Sequence, residues 1–253
     1  MTTQELATPK TLDNWRGPRL LERLGAATGV LAFVLAVCGI AVSAATGTKA
    51  ANPGATAEQL ARAYATSPSP PVWLGAMLQM IAFVCLFGFA TYLARALAAG
   101  GTRGDWLDAL AIGAGQAFVA LTVAGFAIGG VARFRAGPEL DVSVAMALFD
   151  IHVALYVASW TLGAVWMLAA AALGLQSRVL PSWLSVAAAL TAVVSVAAVA
   201  FPTTPLAALP SLLIWFWTLA ASLTLYMTVH ARTHDFPVGH SPLPARDATG
   251  EPR

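Results

Sequence analysis

The sequence predicts an all-α membrane protein, a bundle of six transmembrane helices with both termini in the cytoplasm. Three observations predict it: a high apolar content, long blocks without charge, and an uneven distribution of basic residues. Of the 253 residues, 58% are hydrophobic and 10% are charged, whereas soluble domains carry about 25% charged residues. A soluble fold of this size has too little interior to bury so much apolar surface.

The apolar residues lie in blocks that contain no Asp, Glu, Lys or Arg. These blocks separate charged residues at positions 23 and 49, 62 and 95, 108 and 133, 150 and 178, and 178 and 232. Crossing a hydrocarbon core about 30 Å thick takes about 20 helical residues, so the first four blocks each hold one span and the last holds two. The last block is broken at Pro202 and Pro205, where we expect a tight turn because proline fixes φ and lacks an N–H donor.

The predicted spans therefore cover residues 24–46, 73–95, 107–131, 149–174, 182–201 and 206–229. They form one membrane domain over residues 21–231. Residues 1–20 are expected to be a largely disordered cytoplasmic tail. Residues 232–253 are rich in proline and glycine and poor in apolar residues, so we expect a second disordered cytoplasmic tail.

Basic residues set the predicted orientation, because short cytoplasmic loops carry an excess of Lys and Arg. With the N-terminus inside, ten basic residues fall on the cytoplasmic side and four on the outer side. An alternative interpretation makes the first block a cleaved secretory signal, since small residues at 41–45 resemble a cleavage site. Signal cores run to about 15 residues and this block is longer, so the sequence favours a span; cleavage would leave five spans and an outer N-terminus.

The longest outer segment, residues 47–71, contains a predicted short helix. Apolar residues at helical spacing follow Thr56, a suitable N-cap, and end at Tyr64. The segment could lie on the membrane surface with Tyr64 at the headgroup level. A solvated helix that separates two spans is an equally good interpretation.

Polar residues within the predicted spans are the candidates for a functional cavity, because polar groups in a bilayer are costly. In the fourth span, His152 is followed at helical spacing by Tyr156, Ser159, Gly163 and Trp166, a stripe expected to face the bundle interior. The candidate polar cavity consists of His152, Tyr156, Ser159, Gln79 and Gln116. Interhelical hydrogen bonding is the competing role for these side chains, and close helix packing is the expected role of Gly25, Gly29, Gly125 and Gly129.

Asp150 lies two residues before His152, so the two side chains point in nearly opposite directions on a helix and cannot share one proton or metal ion. Asp150 is expected at the outer end of the fourth span. There it is a candidate for ion pairing with Arg133 or Arg135 of the preceding loop.

The sequence lacks the residues that several common catalytic and cofactor-binding sites require. The two lysines, Lys10 and Lys49, lie outside the spans, which excludes a retinal Schiff base, and no motif for phosphate, metal or serine-hydrolase chemistry occurs. We therefore predict no metal and no cofactor. A net charge of +2 does not indicate nucleic acid binding, so the expected partners are the lipid bilayer, a membrane protein or a small apolar ligand.

The chain resembles a bacterial family of six-helix integral membrane proteins, catalogued as a domain of unknown function and common in high-GC Gram-positive bacteria. The resemblance runs through residues 29–39, 53–57 and 149–152, and through 177–184, where Arg178-Val179-Leu180-Pro181 leads into the fifth helix. It implies the six-span topology and a bacterial cytoplasmic membrane, and it supplies no catalytic residue.

Two functional hypotheses follow. The scarcity of polar groups within the spans favours a non-enzymatic binding, partner or accessory protein. The alternative is a small-molecule permease or a lipid-modifying membrane enzyme whose cavity is lined by His152, Tyr156 and Ser159. A cavity that encloses His152 and Gln79 or Gln116 would favour the alternative over a dry, fully packed centre.

Overall fold

The chain folds into a helical bundle, with no strand among the residues that the structure describes. The computed structural model describes residues 19–45, 54–64, 69–99, 105–135, 141–202 and 204–234. Seven α-helices lie within these ranges, together with one 3₁₀ turn, Pro205–Ala208. They are α1 (Arg19–Ala45), α2 (Ala57–Ala63), α3 (Pro70–Ala99), α4 (Asp105–Phe134), α5 (Val142–Ser177), α6 (Ser182–Ala200) and α7 (Leu209–His234).

Six of these helices, all but α2, are long and apolar enough to cross a membrane, which confirms the predicted fold class. Helices α3, α4 and α5 extend past their predicted spans at both ends, and α1 and α7 extend past theirs at one end. Helices α1 and α6 each end one residue short of the prediction. The predicted start of the last span, residue 206, falls in the 3₁₀ turn, and most of the two predicted tails lies outside the described residues.

The short helix α2 forms where the sequence predicted it. The Thr56 hydroxyl accepts from the backbone N–H of Gln59, whose side chain in turn accepts from the Thr56 N–H. This reciprocal capping satisfies two donors that the first helical turn leaves unpaired. On its buried face, Leu60 and Tyr64 pack with Ala145 and Phe149 of α5, so α2 covers one end of the bundle.

The length of α5 explains why α2 can pack there. Its 36 residues make a helix about 54 Å long at about 1.5 Å per residue, well beyond a hydrocarbon core of about 30 Å. The extra turns begin at Asp141, whose carboxylate accepts from the Ser143 backbone and hydroxyl. These hydrogen bonds lower the pKa of the Asp141 side chain.

The helices pack in two sets that face each other. In one set, α1 packs against α3 and α7; in the other, α5 packs against α4 and α6. Contacts of α3 with α4 and of α6 with α7 join the two sets. The largest side chains of the packed core are fully buried: Leu86, Phe89, Leu93, Trp160, Trp166 and Met167. Leu60 of α2 is fully buried as well, because a second, smaller buried cluster packs α2 against α4 and α5: Leu60, Tyr64, Ala132, Ala145 and Phe149.

Close helix contacts depend on small residues. A Cβ atom on Gly39 would lie 2.7 Å from the Gly75 carbonyl oxygen, and a Cβ on Gly75 would lie equally close to that of Gly39. The four glycines at small-residue spacing, Gly25, Gly29, Gly125 and Gly129, also face other helices of the same chain. Their predicted role in intramolecular packing is thus confirmed.

A serine joins α7 to α1. The Ser222 hydroxyl accepts from the Val30 backbone N–H at 3.0 Å and donates to the Ala26 carbonyl oxygen. Since Ala26 and Val30 are a hydrogen-bonding pair within α1, the hydroxyl joins the backbone ladder of a neighbouring helix. An interhelical bond of this kind anchors α7 against α1.

Candidate functional site

A cavity of about 400 Å³ opens near the α2 end of the bundle. We call it the rim cavity. It lies where the last turns of α1 and α4 meet the first turns of α3 and α5, beneath α2. Its polar lining comprises Ser43, Tyr64, Gln79, Arg133 and His152, and the remaining wall is apolar or glycine.

A second cavity, of about 270 Å³, lies next to the first and is called the deep cavity. Its walls include Phe83, Phe118 and Trp215, with Thr122, Tyr156 and Ser211 as polar members. Both cavities are lined by Ile40, Gln79 and Phe126, so they are adjacent at the level of these three residues. We refer to the two together as the cleft.

The cleft runs lengthwise between the helices. On α4, the lining residues pass from Arg133 in the rim cavity to Phe118 in the deep cavity, a rise of about 22 Å at about 1.5 Å per residue. The lining residues of α1, α3 and α5 progress from rim to deep cavity in the same sense along the bundle. The cleft is therefore elongated, and its more polar end lies at the rim.

His152 is fixed in the wall of the rim cavity by a hydrogen bond. Its Nδ1 atom lies 2.7 Å from the Gly125 carbonyl oxygen, and because a carbonyl can only accept, Nδ1 carries the proton. Its ring also contacts Phe126, Phe149 and Tyr156. In the neutral ring Nε2 is then an acceptor, and it has no hydrogen-bond partner within the described part of the chain.

Tyr156 reaches the deep cavity from the same face of α5. Its hydroxyl is hydrogen-bonded to the Ser211 hydroxyl of α7, across the gap between the two helices. Its ring stacks on that of His152 and meets Trp160 edge-on. The predicted interior stripe of α5 is thus confirmed, since Ser159, Gly163 and Trp166 are also buried.

Two of the predicted cavity residues lie elsewhere in the described structure. The Ser159 hydroxyl is buried and donates to the Tyr156 carbonyl oxygen at 2.6 Å, within its own helix. Gln116 donates through Nε2 to the Thr91 hydroxyl at 3.3 Å, which joins α4 to α3. Gln79 does line both cavities, so the structure brings together His152, Tyr156 and Gln79 of the five.

The candidate ion pairing involves residues that point in different directions. Asp150 and Arg135 are exposed, whereas Arg133 is half-buried and lines the rim cavity. Among the described residues the one ion pair lies within α2, between Arg62 and Glu58 at 3.5 Å. The structure therefore does not form an Asp150 pair in that part of the chain, and such a pair stays a prediction.

Arg133 shares the rim cavity with Tyr64 of α2. Burial raises the pKa of the Tyr64 hydroxyl, and the positive charge of Arg133 partly opposes that rise. The tyrosine therefore stays a neutral hydrogen-bond donor near neutral pH. Together, the guanidinium and the phenol present donors at the polar end of the cleft.

The sequence did not predict which apolar residues line the cleft. Phe126, Phe149 and Trp215 line it, but an apolar residue in a membrane helix looks the same whether it faces lipid, core or cavity. Tyr64 carried a usable signal, because an aromatic residue with a polar tip at the end of a short amphipathic helix is placed to cover a polar rim.

Comparisons with protein-family models, curated proteins and solved structures find no match to this chain. In the described residues no group of three or more His, Cys, Asp or Glu side chains is placed to hold a metal ion. The polar side chains that line the cleft are hydrogen-bond donors and acceptors.

Proposed function

We propose that this multi-pass membrane protein binds a small, mostly apolar molecule in the cleft. The observation that carries the proposal is the presence of two adjacent cavities that share Ile40, Gln79 and Phe126 as lining residues. The rim cavity, about 400 Å³, lies within the range of about 300–1,000 Å³ usual for small-ligand pockets. A mainly apolar wall with a few placed polar groups is the usual composition of such pockets.

The polar groups of the cleft support binding better than they support a reaction. A general acid or base needs a partner that orients it and sets its proton affinity. The partner of His152 is a backbone carbonyl, and Asp150 points away on the opposite face of α5. We therefore prefer a binding or accessory protein to the permease or lipid-modifying enzyme, although all three would use the same cavity.

We also propose that both termini face the cytoplasm of a bacterial cell, which would place the α2 end and the rim of the cleft at the outer surface. The excess of basic residues on the opposite side supports this orientation. The family resemblance, which we retain as a proposal, supports the bacterial cytoplasmic membrane.

Orientation can be measured with single cysteines in a chain whose Cys38 and Cys85 are replaced by alanine. A membrane-impermeant thiol reagent applied to intact cells is expected to label Thr56→Cys in the outer segment and not Arg178→Cys. Thr56 and Arg178 are both exposed, so a cysteine at either position can react with the reagent. In intact cells the reagent reaches only the outer side of the membrane. Labelling of Arg178→Cys alone would place the rim of the cleft in the cytoplasm.

Photocrosslinking tests the binding proposal. The full chain, reconstituted in phosphatidylcholine nanodiscs, is exposed to a long-chain fatty alcohol carrying a diazirine, and the labelled residues are mapped by mass spectrometry. Labelling around Gln79 and Phe126 is expected to be competed away by excess unlabelled alcohol, because a cleft holds a limited number of molecules. Labelling at Val193, which is 63% exposed on α6, should not be competed, because it reports bulk lipid.

If labelling near Gln79 and Phe126 is absent, or resists competition as much as labelling at Val193, the cleft does not bind a molecule of this class.

A further inference from the structure

The rim cavity contains the Arg133 guanidinium in a wall without carboxylates among the described residues. Arg133 is half-buried there, and the lining residues of both cavities in the described chain include no Asp or Glu. Arg133 also has no carboxylate within ion-pair distance among the described residues, since the one pair found there is within α2. Arginine near a membrane interior is usually paired, because an isolated charge is costly to desolvate.

Neighbouring groups extend the same electrostatic pattern. Tyr64 and Arg133 line the same cavity, and the positive charge of Arg133 acts on the Tyr64 hydroxyl to lower its pKa. In its neutral form this hydroxyl is a hydrogen-bond donor. Guanidinium N–H groups and a phenol O–H suit an anionic oxygen group, for which arginine provides a fork of parallel donors. The polar end of the cleft thus favours a negatively charged group.

The rest of the cleft favours an apolar chain. Below Gln79 the walls are formed mainly by aromatic and aliphatic side chains, among them Phe83, Phe118 and Trp215. The path from Arg133 to Phe118 is about 22 Å long at about 1.5 Å per residue, and α1, α3, α4 and α5 each line both cavities. An extended hydrocarbon chain with one charged end matches this length and this distribution of polar groups.

Resting on the proposed function, we infer that the cleft takes up a single-chain amphiphile with an anionic oxygen headgroup. The headgroup, a carboxylate or a phosphate, lies against Arg133 and Tyr64. The hydrocarbon chain passes Gln79 and ends between Phe118 and Trp215. A free fatty acid and a single-chain lysophospholipid of phosphate type share this chemistry.

The test compares diazirine probes that have the same chain and different headgroups. In the nanodisc assay, a fatty acid probe is expected to bind at least about tenfold more tightly than the fatty alcohol, since hydrogen bonds to charged groups contribute on that scale. Arg133→Gln should remove this preference, because it lowers the affinity for the acid by at least about tenfold. Arg133→Lys should retain part of the preference, because the charge remains and the fork geometry is lost.

Arg135→Gln is the matched control. Arg135 is two residues away at the same helix end, but it is exposed and does not line the cleft, so its loss should leave the preference for the acid intact. An unchanged midpoint of thermal denaturation in detergent shows that each variant is folded. A fatty amine probe should bind worst of all, because its charge repels Arg133.

Single-chain phosphate and carboxylate probes distinguish the two sources of the headgroup. Whichever of them binds more tightly identifies the headgroup, and both should lose affinity in Arg133→Gln. Equal affinity of acid and alcohol in the unmodified chain, or equal effects of Arg133→Gln and Arg135→Gln, would overturn the inference. In that case competed binding of the alcohol would leave the proposed function standing, whereas failure of every probe would remove both.

Discussion

Replacing Gly130 by phenylalanine is expected to abolish competed binding of all probes in the cleft. Gly130 lines the rim cavity, and a Cβ atom added there meets no other atom within 4 Å. A phenyl group can therefore enter the cavity without forcing the helices apart and will occupy volume that the ligand needs. We expect affinity to fall by at least about 100-fold, in proportion to the apolar contact that the ligand loses.

Gly113→Phe provides the control on the same helix. Gly113 is exposed on α4, an added Cβ there is equally unhindered, and it is not part of the cleft wall. Both substitutions replace a helical glycine by the same side chain, so their effects on helix propensity cancel. Undiminished binding in Gly130→Phe would show that the ligand lies elsewhere.

Replacing Gly75 by leucine is expected to destabilise the protein more than any other single change considered. A side chain at this position would meet the Gly39 carbonyl oxygen of α1, 2.7 Å from its Cβ, and the Ser43 hydroxyl still closer. Backbone atoms cannot rotate away, so α1 and α3 must separate along their contact. Overpacking of this kind costs about 2 kcal/mol or more, measured as a lower midpoint of thermal denaturation in detergent.

Gly88→Leu on the same helix is the comparison for stability. Gly88 is exposed, and a Cβ there meets nothing within 4 Å, so we expect its effect to stay within about 0.5 kcal/mol. Equal stability of the two leucine variants would contradict the close contact between α1 and α3.

The architecture could be predicted because a bilayer imposes a strong constraint. Each block without charge had to become a helix, since lipid offers the backbone no other hydrogen-bond partners. The N-cap Thr56 and the glycines of α1 and α4 were also readable, because each depends on local spacing. The exact bounds of the helices were less predictable. For example, the sequence could not place the start of α7 after the 3₁₀ turn, because the turn and the helix are both apolar.

The candidate site was predictable only in part. His152, Tyr156 and Gln79 stood out because polar atoms in a membrane span need a reason to be there. The sequence could not show that Gln116 would be satisfied by Thr91, nor that Arg133 would turn toward the cavity and Asp150 away from it. Those outcomes depend on how the helices rotate and pack, and the apolar half of the cleft gave no signal at all.

The central claim is that the cleft beneath α2 holds a ligand, and a cryo-electron microscopy map of the chain in lipid nanodiscs tests it most directly. The account predicts elongated non-protein density that begins beside Arg133, passes Gln79 and ends near Phe118. A map in which the side chains of α4 and α5 close onto α1 and α3, with no such density between them, would contradict it.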